Sequence, residues 1–360
     1  MRDPRIEKYA RLIVERALDV QPGWQVLIRT TPLSRPLLEE CVRLIGRRGA
    51  YPLVRMGFTL WPTEIAWAEE APVEVLERMP DVDVYASDHM DARVTIDAPE
   101  NAREDASLPP EKIAALSKRT APFHRRSMSG EIPWMSCQYP TPALAQDAGM
   151  STDDFADFLF DAVALDWDEE GRRMQRRVER FAAADTVRLV AAGTDLRLSL
   201  RGRRGGIDAG ESNLPAGEFY FAPNEHETEG VVEFAEFPAI HGGREVTGAR
   251  LVFEGGRVVE AHAASGQDVL LAALDSDEGA RRVGELGIGC NPRITRYMRN
   301  TLFDEKIDGT IHVALGAAYE DVGGTNRSTL HWDLVKDMRT PGSRIELDGD
   351  VVQADGRWLI

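Results

Sequence analysis

Apolar residues recur at helical spacing over residues 6 to 18, where Ile6, Tyr9, Ala10, Ile13 and Ala17 share one face. Gln21-Pro22-Gly23 then supplies a turn, and Trp24 to Arg29 reads as a strand. Ser34 is a candidate N-cap for a helix holding Leu37, Leu38, Cys41, Val42, Leu44 and Ile45, which Gly49 would end before a second strand at Tyr51 to Val54. Strand, helix, strand at this spacing predicts a parallel sheet with helices packed on it. Val82 to Ala86 and Val94 to Ile96 read as further strands, and Pro109-Pro110 introduces a helix over Glu111 to Lys118. Ser151 to Leu165 is amphipathic, with Asp153 and Asp154 at its positive end.

The texture changes after the charge-rich stretch Trp167 to Arg180. Alternating segments at Val187 to Val190, Leu196 to Leu200, Val231 to Phe234, Ala249 to Phe253 and Val258 to Ala261 are separated by glycine clusters, a pattern of hairpins. Helices are expected at Gly266 to Leu274 and Glu278 to Glu285. The fold class is therefore α/β: residues 1–180 as an N-terminal α/β domain with a mainly parallel sheet, and 181–360 as a C-terminal mixed α+β domain carrying the candidate metal site. No internal repeat or low-complexity tract is evident.

Composition narrows the partners. Sixty acidic residues against 43 Lys and Arg give a net charge of −17, which would repel a phosphate backbone, so nucleic acid is not an expected partner. Cys41, Cys137 and Cys290 lie far apart with no CxxC pair, which argues for free thiols in a reducing compartment. The charged start Met1-Arg2-Asp3-Pro4-Arg5 does not read as a signal peptide, and no run of about 18 apolar residues could span a bilayer. A soluble cytoplasmic protein with no membrane contact is expected.

Several motifs are absent. There is no GxxxxGK[ST] loop, and the glycines of Gly284-Glu285-Leu286-Gly287-Ile288-Gly289 are wrongly spaced for a dinucleotide turn. His226-Glu227 begins like an HExxH helix, but Gly230 stands where the second imidazole belongs, so this segment reads as an exposed loop. No GxSxG elbow is present.

What remains is a set of ionisable residues in apolar or glycine-bounded settings. Glu218 precedes Phe219, Tyr220 and Phe221; Glu285 is the sole charge in Val283 to Gly289; His312 lies in the apolar strand Ile311 to Gly316; and His331 and Asp333 sit two apart, on one face of a strand. Burial of such groups costs desolvation energy that a cation can offset. Mixed oxygen and nitrogen donors suit Zn, Co or Mn, and five donors exceed the needs of one tetrahedral ion, so two divalent ions are expected. Each residue also has an ordinary reading, a hydrogen-bonded core histidine or a buried ion-pair partner. His89, His124, His241 and His262 fall in loops or at element ends and are not taken as ligands.

The segments Asn213 to Pro223, Gly284 to Gly289, Ile311 to Tyr319 and Gly323 to Asp333 resemble the M29 family of metallo-aminopeptidases, the aminopeptidase T and aminopeptidase S group. The likeness extends to Asp3 to Lys8, Asp97 to Arg103 and Tyr139 to Ser151, and so covers nearly the whole chain. It implies metal ligands at Glu218, Glu285, His312, His331 and Asp333, an active-site tyrosine at Tyr319, hydrolysis of the N-terminal residue of short peptides, and a homodimer. The chain is shorter than the better-known members between His312 and His331, a region where they carry an insertion. A ring-cleaving iron dioxygenase of dihydroxypyridines has a related fold, but with histidine matching Glu285 and none matching His312, so the residues present here favour hydrolysis. That dioxygenase and a non-catalytic peptide-binding homologue are the alternatives. Neither Glu225 nor Glu227 can be assigned as general base from sequence.

Overall fold

A computed structural model describes residues 3–58, 65–128 and 130–360, and the chain divides into two compact units, Met1–Leu165 with Gly210–Pro215, and Asp166–Ala209 with Ala216–Ile360. Met1 and Arg2 of the charged start, and the side chain of His124, lie outside the described residues.

The first unit is built on a parallel sheet. Strands β1 (Gln25–Thr30), β2 (Tyr51–Met56), β3 (Ala92–Asp97) and β4 (Trp134–Gln138), with the short segment Asn213–Leu214, are ordered β2-β1-β3-β4 and then Asn213–Leu214, every pair parallel. β1 buries Val26, Leu27 and Ile28, consistent with a central strand of a helix-covered sheet. The helix expected after Ser34 spans Arg35–Arg47, but Ser34 does not cap it; its hydroxyl meets Thr30 Oγ1 and the Thr31 carbonyl instead. Ser151 does cap the helix Thr152–Val163, accepting from the Asp154 amide at 3.1 Å.

One assignment in this unit is corrected. Val82 to Ala86, expected as a strand, lies within the helix Asp81–His89. Pro80 occupies the N-cap and Asp81 and Asp83 the first turn, so the positive end of the helix is complemented by two carboxylates. Alternation misleads here because Val82 and Tyr85 are exposed and no core face selects them.

The second unit holds two large antiparallel sheets, beside a small pair formed by Ala239–His241 and Arg244–Val246. The larger runs Arg257–His262, Ala249–Glu254, Glu229–Phe234, Thr194–Ser199, Thr186–Ala191, Arg344–Leu347, Asp350–Ala354, Arg357–Trp358. The smaller comprises β5 (Gly205–Asp208), β6 (Glu218–Phe221), β7 (Val283–Gly289), β8 (Thr310–Gly316) and β9 (His331–Asp337), in the order β9-β8-β7-β6-β5. One side of this sheet is apolar: Phe219, Phe221, Leu286, Ile288, Ile311, Val313, Leu315 and Leu334 are fully buried. The charge-rich stretch after Asp166 is the helix Trp167–Ala182, and its Phe181 ring meets Phe219 edge-on at 5.1 Å on that side.

Glu278 to Glu285, expected as a helix, is instead a tight turn followed by β7. Asp277 accepts hydrogen bonds from the amides of Gly279 and Ala280, both at 2.9 Å, and holds the turn, while the edges of β8 and β6 pair the backbone that follows.

Candidate metal centre

The polar side of the smaller sheet follows from register. Glu218 lies opposite Gly289, Gly287 opposite both Tyr220 and His312, Glu285 opposite Ala314, Ala314 opposite Asp333, and Gly316 opposite His331. Side chains alternate along each strand, so Glu218, Glu285, His312, His331 and Asp333 all rise from one side. Gly287, Gly289, Ala314 and Gly316 share that side with them, which leaves room above the sheet for long side chains to converge. At Gly287 the requirement is absolute in size: an added Cβ would lie 1.9 Å from His312 Nε2.

The donors meet closely. His312 Nε2 is 3.3 Å from Glu285 Oε1 and 3.5 Å from Glu218 Oε2, and His331 Nε2 is 3.3 Å from Glu285 Oε2 and 3.8 Å from Asp333 Oδ1. Glu285 thus turns one oxygen to each imidazole. His331 Nδ1 lies 2.9 Å from the Ala317 carbonyl; donating there leaves Nε2 as the atom that faces the carboxylates. Glu218 Oε2, Asp333 Oδ1 and His312 Nδ1 are buried with no hydrogen-bond partner among the described residues.

Two residues not singled out from sequence belong to the arrangement. Glu305 completes a group with Glu218 and His312, while Glu285, His331 and Asp333 form another; within each group, one donor atom per residue lies within 4.8 Å of the others. Lys306, fully buried, ion-pairs with Glu218 Oε1 at 3.2 Å and with Glu305. Both sit in Asp304-Glu305-Lys306, a charge run that reads as solvated surface; the only hint is its position between Phe303 and the buried strand β8.

Burial raises Glu218 well above the usual carboxylate range, and the Lys306 ammonium offsets only part of this. Burial works against the imidazolium of His312 and His331, yet Glu285, together with Glu218 at His312 and Asp333 at both, outweighs it and raises both to about 10. Protons therefore occupy the site at neutral pH when no cation competes. Both groups of carboxylate and imidazole donors, each with unsatisfied buried oxygen or nitrogen, offer the kind of donor set that divalent metal takes.

Tyr319 follows β8, its ring 5.2 Å from that of His331 and 5.3 Å from that of Tyr220. Burial and the surrounding carboxylates push its phenol well above its usual value, so it stays a neutral donor. Glu225 is already engaged: it accepts from the Thr325 amide at 2.8 Å and from Arg203 at 2.8 Å. His226 and Glu227 lie in a turn, His226 at 3.1 Å from Arg282, and neither belongs to the two donor groups.

A carboxylate- and imidazole-lined sheet face of this kind is a candidate site for divalent metal, as in metal-dependent enzymes. The chain belongs to the thermophilic metalloprotease family M29, which it matches over residues 2–358. Aminopeptidase T of Thermus thermophilus is 26% identical, over 99% of this chain and 98% of its own length. The solved structure of wild-type AmpT from Thermus thermophilus shares the fold with a TM-score of 0.87 at 24% identity, covering 99% of each chain. The 2,5-dihydroxypyridine dioxygenase of Pseudomonas putida KT2440 also shares it, with a TM-score of 0.61 at 14% identity over 98% of this chain and 96% of its own. The α/β fold with a parallel N-terminal sheet thus agrees with the sequence expectation. No helix among the described residues is long and apolar enough to cross a membrane.

Proposed function

We propose that the protein is an aminopeptidase that removes the N-terminal residue of short peptides at a two-cation site in its second unit. Glu218, Glu305 and His312 would hold one cation, His331 and Asp333 the other, with Glu285 shared. The observation that carries this is Glu285, whose two oxygens face the two imidazoles at 3.3 Å each. Zn, Co and Mn match the mixed donor set. When bound, such a pair supplies Lewis acidity toward a carbonyl, acidifies water toward neutrality and receives a free α-amine.

The chain's own groups do the rest. Tyr319, a neutral phenol beside His331, donates a hydrogen bond to the oxygen on which charge develops. The Ala317 carbonyl holds the His331 ring in one tautomer, and Lys306 holds one oxygen of Glu218 so that the other points to His312. A homodimer in the cytoplasm accompanies this reading; the three cysteines are free and buried, as a reducing compartment requires.

The test is release of leucine from a leucyl anilide by purified protein with Zn, Co or Mn, beside elemental analysis and chelator controls. Activity that needs metal and about two ions per chain supports the reading. Full metal content with no anilide cleavage sinks it, and oxygen uptake with a dihydroxypyridine would favour the ring-cleaving alternative. Size-exclusion chromatography tests the dimer.

A further inference from the structure

The segment Gly323 to Leu330 ahead of His331 contributes no donor to either group, yet it is anchored more heavily than a connecting loop requires. Asp277 is its anchor. One carboxylate oxygen accepts from the amides of Gly279 and Ala280, both at 2.9 Å, and from the Ser328 hydroxyl at 2.8 Å. The other accepts from the Thr329 amide at 2.7 Å, the Thr329 hydroxyl at 2.8 Å and the Ser328 hydroxyl at 2.9 Å. Asn326 ties the same segment from the other side, its amide donating to the carbonyls of Gly279 at 2.9 Å and Gly316 at 2.6 Å.

Close approach makes these bonds possible. A Cβ at Gly279 would fall 2.1 Å from the Arg327 carbonyl oxygen, and one at Gly316, where φ is +102°, would fall 2.2 Å from that of Leu330. The Leu330 carbonyl in turn accepts from the Ala317 amide at 2.7 Å, and the Ala317 carbonyl meets His331 Nδ1 at 2.9 Å. A continuous run of hydrogen bonds thus leads from Asp277 to the imidazole, without Asp277 touching it.

We propose that Asp277 is a positioning residue for His331: by clasping Ser328 and Thr329 it fixes the start of β9, and thereby the affinity for the cation shared by Glu285, His331 and Asp333. The inference rests on the two-cation reading. It separates the cations, because the clasp acts on the start of β9 and on His331 directly, and reaches the group formed by Glu218, Glu305 and His312 through Glu285, which lies 3.3 Å from both imidazoles. Asparagine cannot replace the aspartate: with its oxygen on Gly279 and Ala280, its NH2 faces the Thr329 amide, donor to donor.

The experiment is calorimetric titration of metal-free protein with zinc, comparing wild type, Asp277→Asn and His331→Ala, with thermal midpoints of the metal-free forms. His331→Ala identifies the binding step that depends on the imidazole. Asp277→Asn is expected to weaken that same step by about 10–100-fold, as loss of groups behind metal ligands does, and to leave the other step within about threefold. Equal weakening of both steps with a lowered thermal midpoint would reduce Asp277 to a structural residue, and unchanged affinity in both steps would overturn the inference outright. Should Asp277→Asn not fold, Ser328→Ala with Thr329→Val removes the two hydroxyl donors, and with Ser328 the acceptor of the Leu330 amide at 3.0 Å, and is expected to weaken the same step in the same sense. Wild type that takes up no zinc would instead sink the two-cation reading itself, a result distinguishable from the other two.

Discussion

Gly287 and His312 face each other across β7 and β8, and the imidazole lies where any side chain at 287 would stand: a Cβ there would be 1.9 Å from Nε2. The glycine is a condition of the site, since only hydrogen lets the ring cross the strand toward Glu285. Gly287→Ala is expected to push His312 out of line, cutting metal-dependent activity at least tenfold and stability by about 1–3 kcal/mol, the usual cost of overfilling a packed position. Metal content and urea unfolding check it; a variant with normal zinc uptake and activity would show that the ring has another place to go.

Glu285→Gln is expected to be the most damaging single change in the site, because one carboxylate serves both imidazoles. Both cations should be lost or weakened together, with activity falling by more than the ~100-fold typical of residues behind ligands. Elemental analysis after dialysis is the check. Loss of one ion alone would mean that Glu285 is not shared.

Tyr319→Phe removes a hydroxyl and nothing else. If the phenol donates to the developing charge, kcat falls by about 10²–10³ while bound metal stays the same. A variant that retained full kcat with metal in place would remove Tyr319 from the reaction.

Away from the site, Asp97 at the end of β3 offers a pH prediction. Burial raises its carboxyl from 3.8 to about 6, the Gln138 amide at 3.1 Å only partly opposing this, and Oδ1 has no partner among the described residues. Because the folded value exceeds the unfolded one, the contribution to stability is fully present below about pH 3.8 and is lost as pH rises through about 6. Asp97→Asn should therefore flatten the decline in stability between pH 5 and pH 8, with a gain at pH 8 of about 1–2 kcal/mol. Denaturant melts at the two pH values decide it; an unchanged slope would show that Asp97 does not set it.

Glu285 and His312 are readable because each stands alone, and His331 and Asp333 because they form a pair two apart. Glu285 among glycine and aliphatic residues, and His312 inside an apolar strand, break a pattern that would otherwise be all core. Glu305 and Lys306 escape for the opposite reason: charges beside charges look solvated, and only the fold reveals that Lys306 is fully buried. The helix at Asp81–His89 reads as a strand because its valines satisfy alternation without facing a core, and the turn at Asp277 reads as a helix because a carboxylate that captures backbone amides resembles a helix start. Register across β6 to β9, which turns separate motifs into one face, depends on pairings between distant segments that no local window contains.

Lys306 bears on how the charges of this face are balanced from within. Its ammonium stands beside Glu218 and Glu305, and Glu285, Glu218 and Asp333 around the two imidazoles favour protons on His312 and His331. Any divalent cation that settles there would have to displace internal protons, so its uptake would release hydrogen ions and tighten as the solution becomes more alkaline.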